Sequence, residues 1–244
     1  MPEGPSIILV KEAIAKFAGE KILAVSGNST IDKSILLNKE IIGFKSWGKH
    51  FLICLDGLTL KVHFLMFGSY TIDVKKPDRA TRLNLTFENG EINFYTCSVK
   101  YLEGDINNYY DWSADVMNDQ WDKKNAKAKL TARPGELICD ELIEQDIFAG
   151  VGNIIKNEIL YRVRVHPESN VGKIPTAKLN RLIDETRTYS FQFLEWKRTY
   201  ELKKHWLAHT KRICLRCNLP IIKKQTGLKK RRSFICTNCQ TLYI

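Results

Sequence analysis

Cys214-Leu215-Arg216-Cys217, followed by Cys236-Thr237-Asn238-Cys239, is the pattern in this chain that predicts a local structure most strongly. Each half is a Cys-x-x-Cys knuckle, and 18 residues lie between the two halves. Four thiolates at this spacing are typical of a closed tetrahedral zinc site that staples a small β-hairpin. An iron–sulfur cluster or two independent redox pairs are the alternatives for the same cysteines. The sequence predicts one structural Zn²⁺ bound by Cys214, Cys217, Cys236 and Cys239.

The region around the two knuckles is strongly basic, as is the chain as a whole. Its 244 residues include 38 Lys and Arg against 27 Asp and Glu, which gives a net charge of +11. From Lys197 to Arg232, thirteen basic side chains are opposed only by Glu201. A run of like charges is usually a solvated surface, but beside a metal motif it also suits a phosphate backbone. The charge balance favours nucleic acid over membrane as the partner.

The sequence gives no sign of a membrane protein or of a secreted, disulfide-bonded protein. No apolar run approaches the ~18 residues of a membrane span. The amino terminus lacks the basic region and apolar core of a secretion signal. Seven cysteines in such a chain indicate thiols or metal ligands rather than disulfides, and Cys54, Cys97 and Cys139 are expected to be inert core thiols. We expect a cytoplasmic protein with no membrane partner.

Upstream of the basic region the chain is predicted to be helical. The expected helices are Glu136–Gln145, Ile154–Arg162 and Thr176–Leu207. Ala149-Gly150-Val151-Gly152-Asn153 leads into the second of them, and backbone N–H groups at a helix start suit a phosphate. Asn153 is predicted to cap this helix and to donate its side-chain amide; a plain Gly-Gly-Asn turn is the alternative. Glu158 falls on an apolar face, where its carboxylate is either solvated or bonded to a backbone donor.

Towards the amino terminus the hydrophobic period changes from helical to alternating. The alternation predicts short strands, with Asp56-Gly57 and Asn89-Gly90 at positions that suit hairpin turns. The predicted strands are Lys21–Ser26, Glu40–Trp47, His50–Leu55, Thr59–Leu65, Ser69–Val74, Thr81–Phe87 and Glu91–Thr96. Short strands joined in this way indicate an antiparallel sandwich or barrel. A helix from Pro5 to Phe17 is predicted to precede them.

Two stretches among these strands are candidates for function. Gly48-Lys49-His50 places a lysine in the turn before a strand, although most turn lysines are only solvated. The stretch from His63 to Gly68 ends a strand with three large apolar residues, Leu65, Met66 and Phe67. Packing in a core is one interpretation of these three. An apolar wedge inserted into a base stack would need the same residue types.

Pro2 and Glu3 lie at the start of the first predicted helix. Met1 is usually removed when the next residue is as small as proline, which would leave Pro2 with a free secondary amine. An α-amino group has a pKa near ~8, so part of it is unprotonated at neutral pH and can form a Schiff base. Glu3 is close enough to act as acid or base. The alternative is that Pro-Glu simply opens a helix.

Together these elements predict an α+β protein with several domains. Residues 1–112 are expected to form an amino-terminal antiparallel β-sandwich flanked by helices. Residues 113–207 are expected to form a linker and a helical domain, and residues 208–244 a Cys₄ zinc-finger hairpin.

Taken in order, these stretches resemble the bacterial family of formamidopyrimidine-DNA glycosylases and endonuclease VIII, from end to end. The opening Pro2-Glu3-Gly4-Pro5 is nearest to the endonuclease VIII form, and Lys49 stands at the family's turn lysine. Residues 149–153 resemble its helix–two-turn–helix signature. Residues 231–240 resemble its zinc-finger hairpin, with Arg231 at the position of the DNA-binding arginine.

The resemblance implies a base-excision repair enzyme that is both a DNA glycosylase and an abasic-site lyase. Pro2 would attack C1′ while Glu3 protonates the sugar ring oxygen, and β/δ-elimination through the Schiff base would nick the strand. The implied catalytic residues are Pro2, Glu3 and Lys49, and the implied DNA-binding residues are Leu65, Met66, Phe67, Asn153 and Arg231. The implied partner is double-stranded DNA with damaged bases or abasic sites, bound by a nucleoid-associated monomer.

The chain departs from the family pattern at three places. Ser6 stands where glutamate is usual, and Leu207-Ala208-His209-Thr210 replaces a Tyr-Gly-Arg-like run. The usual arginine of the intercalation loop is not evident around Cys97–Tyr101. The rival function is a DNA-damage or abasic-site binding protein that lacks turnover; Ser6 is its only support, and Pro2, Glu3 and Lys49 argue against it. A plain zinc-ribbon module would not explain the first 200 residues.

Lesion preference is predicted from the stretch between Thr176 and Cys214, which contains no glycine. Family members specialised for oxidised purines have a flexible Gly/Ser-rich segment here that closes over the flipped base. Lids usually show glycine hinges and broken periodicity. Without a lid a large purine would lose its covering contacts, so we expect oxidised pyrimidines to be preferred.

Overall fold

The computed structural model describes residues 2–244. The chain divides into two compact units, with the boundary between Tyr110 and Asp111. The sequence places its first boundary two residues later, at 112. The further division at 207/208 stays a prediction, because the zinc-finger hairpin belongs to the same compact unit as the helices.

The first unit contains two four-stranded antiparallel sheets preceded by a helix. The helix α1 spans Gly4–Ala13 and is followed by 3₁₀ turns at Ala15–Phe17 and Ser34–Leu36. The strands are β1 (Ala24–Ser26), β2 (Ile41–Trp47), β3 (His50–Leu55), β4 (Leu58–His63), β5 (Ser69–Ile72), β6 (Leu83–Phe87), β7 (Gly90–Tyr95) and β8 (Ser98–Glu103). One sheet has the order β1-β6-β7-β5 and the other β2-β3-β4-β8. The amino-terminal antiparallel sandwich is therefore confirmed.

The core of this unit takes side chains from α1 and from both sheets. Ile7 and Ile14 are fully buried at helical spacing, and Phe51 of β3 faces Phe94 of β7 at 6.3 Å between ring centroids. Burying an apolar side chain of this size stabilises the fold by about 1.5–3 kcal/mol. A one-residue slip of a strand would expose its whole apolar face, so this burial fixes the register. It also fixes α1, at whose start Pro2 and Glu3 lie.

The sequence predictions for the strands differ from the structure at their ends. The first predicted strand begins three residues before β1, and the turn expected at Asn89-Gly90 is formed by Glu88 and Asn89, with Gly90 opening β7 at φ +140°. Strand β8 was not predicted. The two residues that join β7 to β8 are Thr96 and Cys97, and Thr96 adopts φ +50° without the glycine or asparagine that usually signals such a turn.

The second unit is helical and ends in a hairpin. Its helices are α2 (Lys123–Thr131), α3 (Ile138–Glu141), α4 (Asn153–Val163) and α5 (Thr176–Arg198). The second unit also contains 3₁₀ turns at Trp112–Ala114, Val171–Lys173 and Leu202–His205. Another 3₁₀ turn, Ile106–Asn108, lies at the end of the first unit. The strands β9 (Ile222–Thr226) and β10 (Arg231–Ile235) pair in an antiparallel fashion. The expected helical domain with a hairpin is confirmed.

Two of the helices predicted for this second unit are too long. The helix expected over Glu136–Gln145 is the four-residue α3, and the one expected to reach Leu207 ends at Arg198. The second ends because Tyr200 turns the backbone to φ +62°. No helix among residues 2–244 has the length and apolar character needed to cross a membrane.

Candidate functional site

The amino-terminal pair lies at the beginning of α1. Glu3 is the residue before the helix, with extended backbone, and its carbonyl oxygen accepts the N–H of Ser6 at 2.8 Å. The Glu3 side chain is fully buried, whereas Pro2 is half-buried. Acidic residues that only favour a helix start are usually solvated, because they act through the helix dipole at the surface. The burial of Glu3 favours a specific role over simple helix initiation.

Lys49 occupies a two-residue turn between β2 and β3. Trp47 pairs with His50 across the turn, and Gly48 takes φ +53°, which a side chain would strain. The turn is therefore tight, and Lys49 is half-buried rather than freely solvated. Its predicted role as a phosphate ligand stays a prediction.

A cluster of aromatic and imidazole rings lies beside Lys49. His50 lies 5.5 Å from His63 and 5.6 Å from Tyr110, and Tyr110 lies 5.0 Å from Trp47, all between ring centroids. Burial, followed by the positive charges of Lys61 and Lys49 and the proximity of His63, lowers the pKa of His50 to about 4. Burial also lowers the pKa of His63. Both imidazoles are therefore neutral at pH 7. The ring of Tyr110 was not singled out from the sequence, because it lies outside the strands and reaches His50 and Trp47 only in the folded chain.

The three candidate wedge residues follow β4. Leu65, Met66 and Phe67 are 48%, 53% and 72% exposed, whereas Phe64 beside them is buried in the core. Phe64 therefore packs in the core, whereas Leu65, Met66 and Phe67 do not. Exposed apolar side chains in one loop indicate a surface that meets a partner.

The backbone of this wedge loop is fixed at both ends. His63 Nδ1 accepts the N–H of Leu65 at 3.2 Å, and Leu65 adopts φ +50°. Gly68 donates its N–H to the carbonyl of Phe64 at 2.7 Å. A Cβ on Gly68 would lie 2.1 Å from that carbonyl oxygen, so only glycine fits. The loop therefore presents its apolar side chains on a tight, defined turn.

Asn153 is the first residue of α4, and the predicted cap is wrong. The residue before the helix is Gly152, and no side chain caps it. The Asn153 side-chain oxygen is buried and has no hydrogen-bond partner among the described residues. This oxygen can only accept a hydrogen bond, so it suits a donor, whereas a phosphate would bind the N–H donors of the same amide.

The hairpin that presents Arg231 is anchored by Asp140 of α3. The Asp140 carboxylate accepts the N–H groups of Leu228 and Lys229 in the turn, at 2.7 and 3.3 Å. Gly227 has φ +70°, and a Cβ there would lie 2.3 Å from the same carboxylate. Arg231 follows this turn, is exposed, and pairs with Thr226. The sequence did not identify Asp140.

Two side chains of α4 fix the strand that carries Arg231. Asn157 donates to the carbonyl of Arg232 at 3.1 Å and accepts the N–H of Phe234 at 2.9 Å, as a neighbouring strand would. Lys156 is fully buried and donates to Ser233 Oγ at 3.0 Å. Helix α4 therefore holds both Asn153 and the hairpin within one framework.

Glu158 holds the segment that precedes the metal site. Its buried carboxylate accepts the N–H groups of Leu207, Ala208 and His209 at 2.8, 2.9 and 2.7 Å. Burial raises the pKa of Glu158, while the three N–H donors act in the opposite direction. The sequence left open whether this carboxylate is solvated or bonded to backbone donors, and the structure shows that it is bonded to backbone donors. The stretch that departs from the family pattern is thus tied to α4.

The four cysteines of the knuckles come together as predicted. Their sulfurs all lie within 4.8 Å of one another, with Cys214 and Cys239 at 3.8 Å and Cys217 and Cys236 at 3.4 Å. A zinc tetrahedron with Zn–S bonds near 2.3 Å has S–S edges of about 3.8 Å, so the residues fit this metal.

The remaining cysteines are separate from this cluster. Burial raises the pKa of Cys97 and of Cys139 to about 11, and it also raises the pKa of Cys54. Thiols with raised pKa react poorly, because the thiolate is the nucleophile. The expectation of inert core thiols agrees with these values.

Two family profiles match the chain in order. A profile described as the formamidopyrimidine-DNA glycosylase N-terminal domain matches residues 1–98. A second, described as the formamidopyrimidine-DNA glycosylase H2TH domain, matches residues 113–191. The first includes the candidate catalytic residues and the wedge loop, and the second includes Asn153.

Curated relatives agree with these matches. Endonuclease 8-like 3 of Xenopus laevis is 26% identical over 236 residues, covering 90% of this chain and 38% of the relative, so the chain spans well under half the length of that protein. Formamidopyrimidine-DNA glycosylase of Carboxydothermus hydrogenoformans is 24% identical, covering 98% of this chain and all of the relative.

A solved structure shows the same fold. The formamidopyrimidine-DNA glycosylase of Lactococcus lactis, non-covalently bound to DNA containing an AP site, matches with a TM-score of 0.88 at 21% identity. The match covers 98% of this chain and 99% of that chain. At this identity the likeness concerns the fold.

Proposed function

Because this chain belongs to the formamidopyrimidine-DNA glycosylase and endonuclease VIII family, which repairs damaged bases in DNA, we propose that it is a bifunctional DNA glycosylase and abasic-site lyase. The observation that supports this most is the pair at the start of α1: Pro2, followed by the fully buried Glu3. A packed helix holds both residues, and catalytic groups need such rigid support.

The proposed reaction begins at the amine of Pro2 after removal of Met1. Its nitrogen bonds to C1′ as the bond to the damaged base breaks, and Glu3 donates a proton to the ring oxygen, which opens the sugar to an iminium ion. The iminium acidifies the C2′ proton, and loss of that proton expels the 3′ phosphate. A second elimination expels the 5′ phosphate.

The proposed DNA contacts divide into phosphate ligands and a wedge. Lys49, Asn153 and Arg231 bind phosphates and fix the register of the strand. Leu65, Met66 and Phe67 fill the space left when the target nucleotide leaves the stack. The position of Asn153 in the first turn of α4, at the positive end of the helix dipole, supports the first assignment. The exposure of the wedge loop supports the second. The proposed partner is duplex DNA with damaged bases or abasic sites, bound by one copy of the chain.

The proposed metal is one structural Zn²⁺ held by Cys214, Cys217, Cys236 and Cys239. The four thiolates leave no open position for water, so the ion would supply only a cross-link that keeps the hairpin folded. Asp140 and Asn157 then orient Arg231 on that hairpin.

Oxidised pyrimidines are the proposed preferred lesions. The segment between α5 and Cys214 has no glycine; it contains the 3₁₀ turn Leu202–His205 and is bonded to Glu158. These contacts support a fixed segment rather than a mobile lid over a flipped purine. We expect thymine glycol and dihydrouracil to be released faster than 8-oxoguanine opposite cytosine.

Single-turnover rates on matched duplexes test this function and its preference. The expected products are the free base and a nicked strand, with higher rates for the pyrimidine lesions. A faster rate on 8-oxoguanine would refute the preference. Tight binding of damaged DNA without any base release would instead favour the rival, a damage-binding protein. That rival is supported by Ser6, which is buried where the family usually has glutamate.

A further inference from the structure

A tyrosine two residues beyond the end of α5 lies almost entirely in solvent. Tyr200 is 97% exposed, more than any other large apolar or aromatic side chain among the described residues. Tyrosine is an amphipathic residue whose ring is usually at least partly covered. An aromatic ring with almost no contact to its own protein makes no packing contribution to the fold.

The backbone at Tyr200 is also strained. Its N–H donates to the carbonyl of Lys197 at 3.2 Å, and the N–H of Glu201 donates to that of Trp196 at 2.7 Å. These two bonds form a Schellman motif, in which the residue at the Tyr200 position is usually glycine because φ is positive. Tyr200 has φ +62°. A bulky residue at such a φ is an outlier, and strain of this kind is concentrated at functional sites.

The turn that carries Tyr200 is rigid. The ring of His205 stacks on that of Trp196 at 4.2 Å with an interplanar angle of 8°, and Trp196 packs edge-on against the buried Tyr189. The N–H of Lys204 also donates to the carbonyl of Glu201 at 2.8 Å. The ring of Tyr200 is therefore presented from a fixed base, which lowers the entropy lost when a ligand binds it.

The surroundings of the ring are basic. Lys197, Arg198, Lys203 and Lys204 lie within four residues of Tyr200, and Glu201 is the acidic residue in that interval. Lys204 reaches Glu201 at 2.7 Å, but the pair is exposed and contributes little. The surface thus combines an open aromatic face with net positive charge.

We propose that Tyr200 is a stacking platform for an unpaired base of single-stranded DNA, whose phosphates bind the neighbouring lysines. Every base has a flat π-face, so stacking tolerates any sequence, and basic side chains follow the backbone. The proposal rests on the proposed function, because both require DNA as the partner. It adds a second contact region, which binds single-stranded DNA beside a lesion or at a gap.

Binding of fluorescein-labelled oligothymidylate of about 16 nucleotides to the full chain tests the platform. Tyr200→Ala and Tyr200→Gly are expected to weaken binding about 5- to 150-fold, whereas Tyr200→Phe keeps the ring and stays within about twofold. Tyr109→Ala, which removes another exposed tyrosine, is the control and should bind like the wild type. Equal affinity of the wild type, Tyr200→Ala and Tyr200→Gly would overturn the proposal.

Stability gives a second readout for the same variants. Since glycine relieves the strain at positive φ, Tyr200→Gly is expected to raise the Tm by about 1–4 °C while it weakens DNA binding. A Tm at or below that of the wild type would show that the backbone at Tyr200 is not strained, and this would contradict the proposed role of Tyr200.

Cleavage of a lesion-containing duplex, measured in parallel, separates this inference from the proposed function. Normal cleavage with no effect of Tyr200 on single-strand affinity would overturn only the platform. Tyr200-dependent binding by a wild type that does not cleave would support the platform and overturn the proposed enzyme.

Discussion

Individual side chains in this protein are fixed by partners far away in the sequence. Asp140 and Leu228 are 88 residues apart, and Asn157 and Phe234 are 77 residues apart. Local patterns in a sequence report periodicity and turns, so they indicated Lys49, Asn153 and Arg231 but not the residues that hold them. Motif residues were predictable because they recur as short strings, whereas Asp140 and Asn157 depend on the folded chain.

Arg231 is expected to bind a phosphate without reading the lesion. Replacement by alanine should weaken binding to damaged and intact duplex alike and reduce the salt dependence by about one unit of slope. Titrations at several salt concentrations measure both effects. Arg232→Ala is the matched control, because neighbouring strand residues point to opposite faces, and it should change the slope less. A loss confined to damaged DNA would show that Arg231 reads the lesion.

His50 is expected to make the protein sensitive to acid. Its pKa of about 4 lies below the ordinary value of 6.5, so the unfolded chain binds a proton that the folded chain excludes. The stability from neutral His50 is full above pH 6.5 and is lost as the pH falls towards 4, by up to about 3 kcal/mol.

Urea unfolding at pH values from 7 to 4 measures this effect. His50→Phe should flatten the dependence relative to the wild type, and the comparison cancels contributions shared by both proteins. Parallel curves for the two proteins would rule out His50 as the source.

Helix α4 carries both a candidate DNA contact, Asn153, and a structural contact to the hairpin, Asn157. Its first residue, Asn153, lies at the helix start, where a phosphate is favoured, while Asn157 one turn later replaces a neighbouring strand for β10. The helix was predicted to within one residue at each end, because its apolar face is periodic. Its contacts to the hairpin were not predictable, since polar residues at helical spacing are usually solvated.

The two asparagines of α4 form a matched pair of variants. Asn157→Ala should lower the free energy of unfolding by about 1–3 kcal/mol, because it leaves the N–H of Phe234 unpaired in a buried place. Asn153→Ala should change stability little and weaken DNA binding. Denaturation and binding titrations separate the two effects. The reverse pattern, in which Asn153→Ala destabilises and Asn157→Ala does not, would refute these roles.

The strands show where prediction from sequence stops. Seven of the eight strands of the first unit were predicted because their residues alternate and glycine or asparagine marks several of their turns. Strand β8 also alternates, but Thr96 and Cys97 form its turn without either residue. The connection is short, and Cys97 is buried.

At the scale of the whole chain, the four-cysteine cluster of the carboxy-terminal unit is the proposed metal site. We expect one zinc per chain by elemental analysis. A chelator should unfold the hairpin and abolish the contribution of Arg231 to DNA binding, because structural zinc sites supply folding free energy. Cys217→Ser should reproduce this loss, whereas Cys54→Ser, outside the cluster, should retain the metal. Iron in place of zinc would contradict the assignment.

Pro2 is the proposed nucleophile, and borohydride trapping of its Schiff base with DNA can identify it. The purified chain should have the intact mass expected without Met1. On DNA containing an abasic site, borohydride should reduce the Schiff base to a stable cross-link, which peptide mapping places at Pro2. Pro2→Gly should trap poorly or not at all, while Lys49→Ala should bind more weakly and still trap at high enzyme concentration. Trapping that survives Pro2→Gly and disappears with Lys49→Ala would show that Lys49, and not Pro2, is the nucleophile.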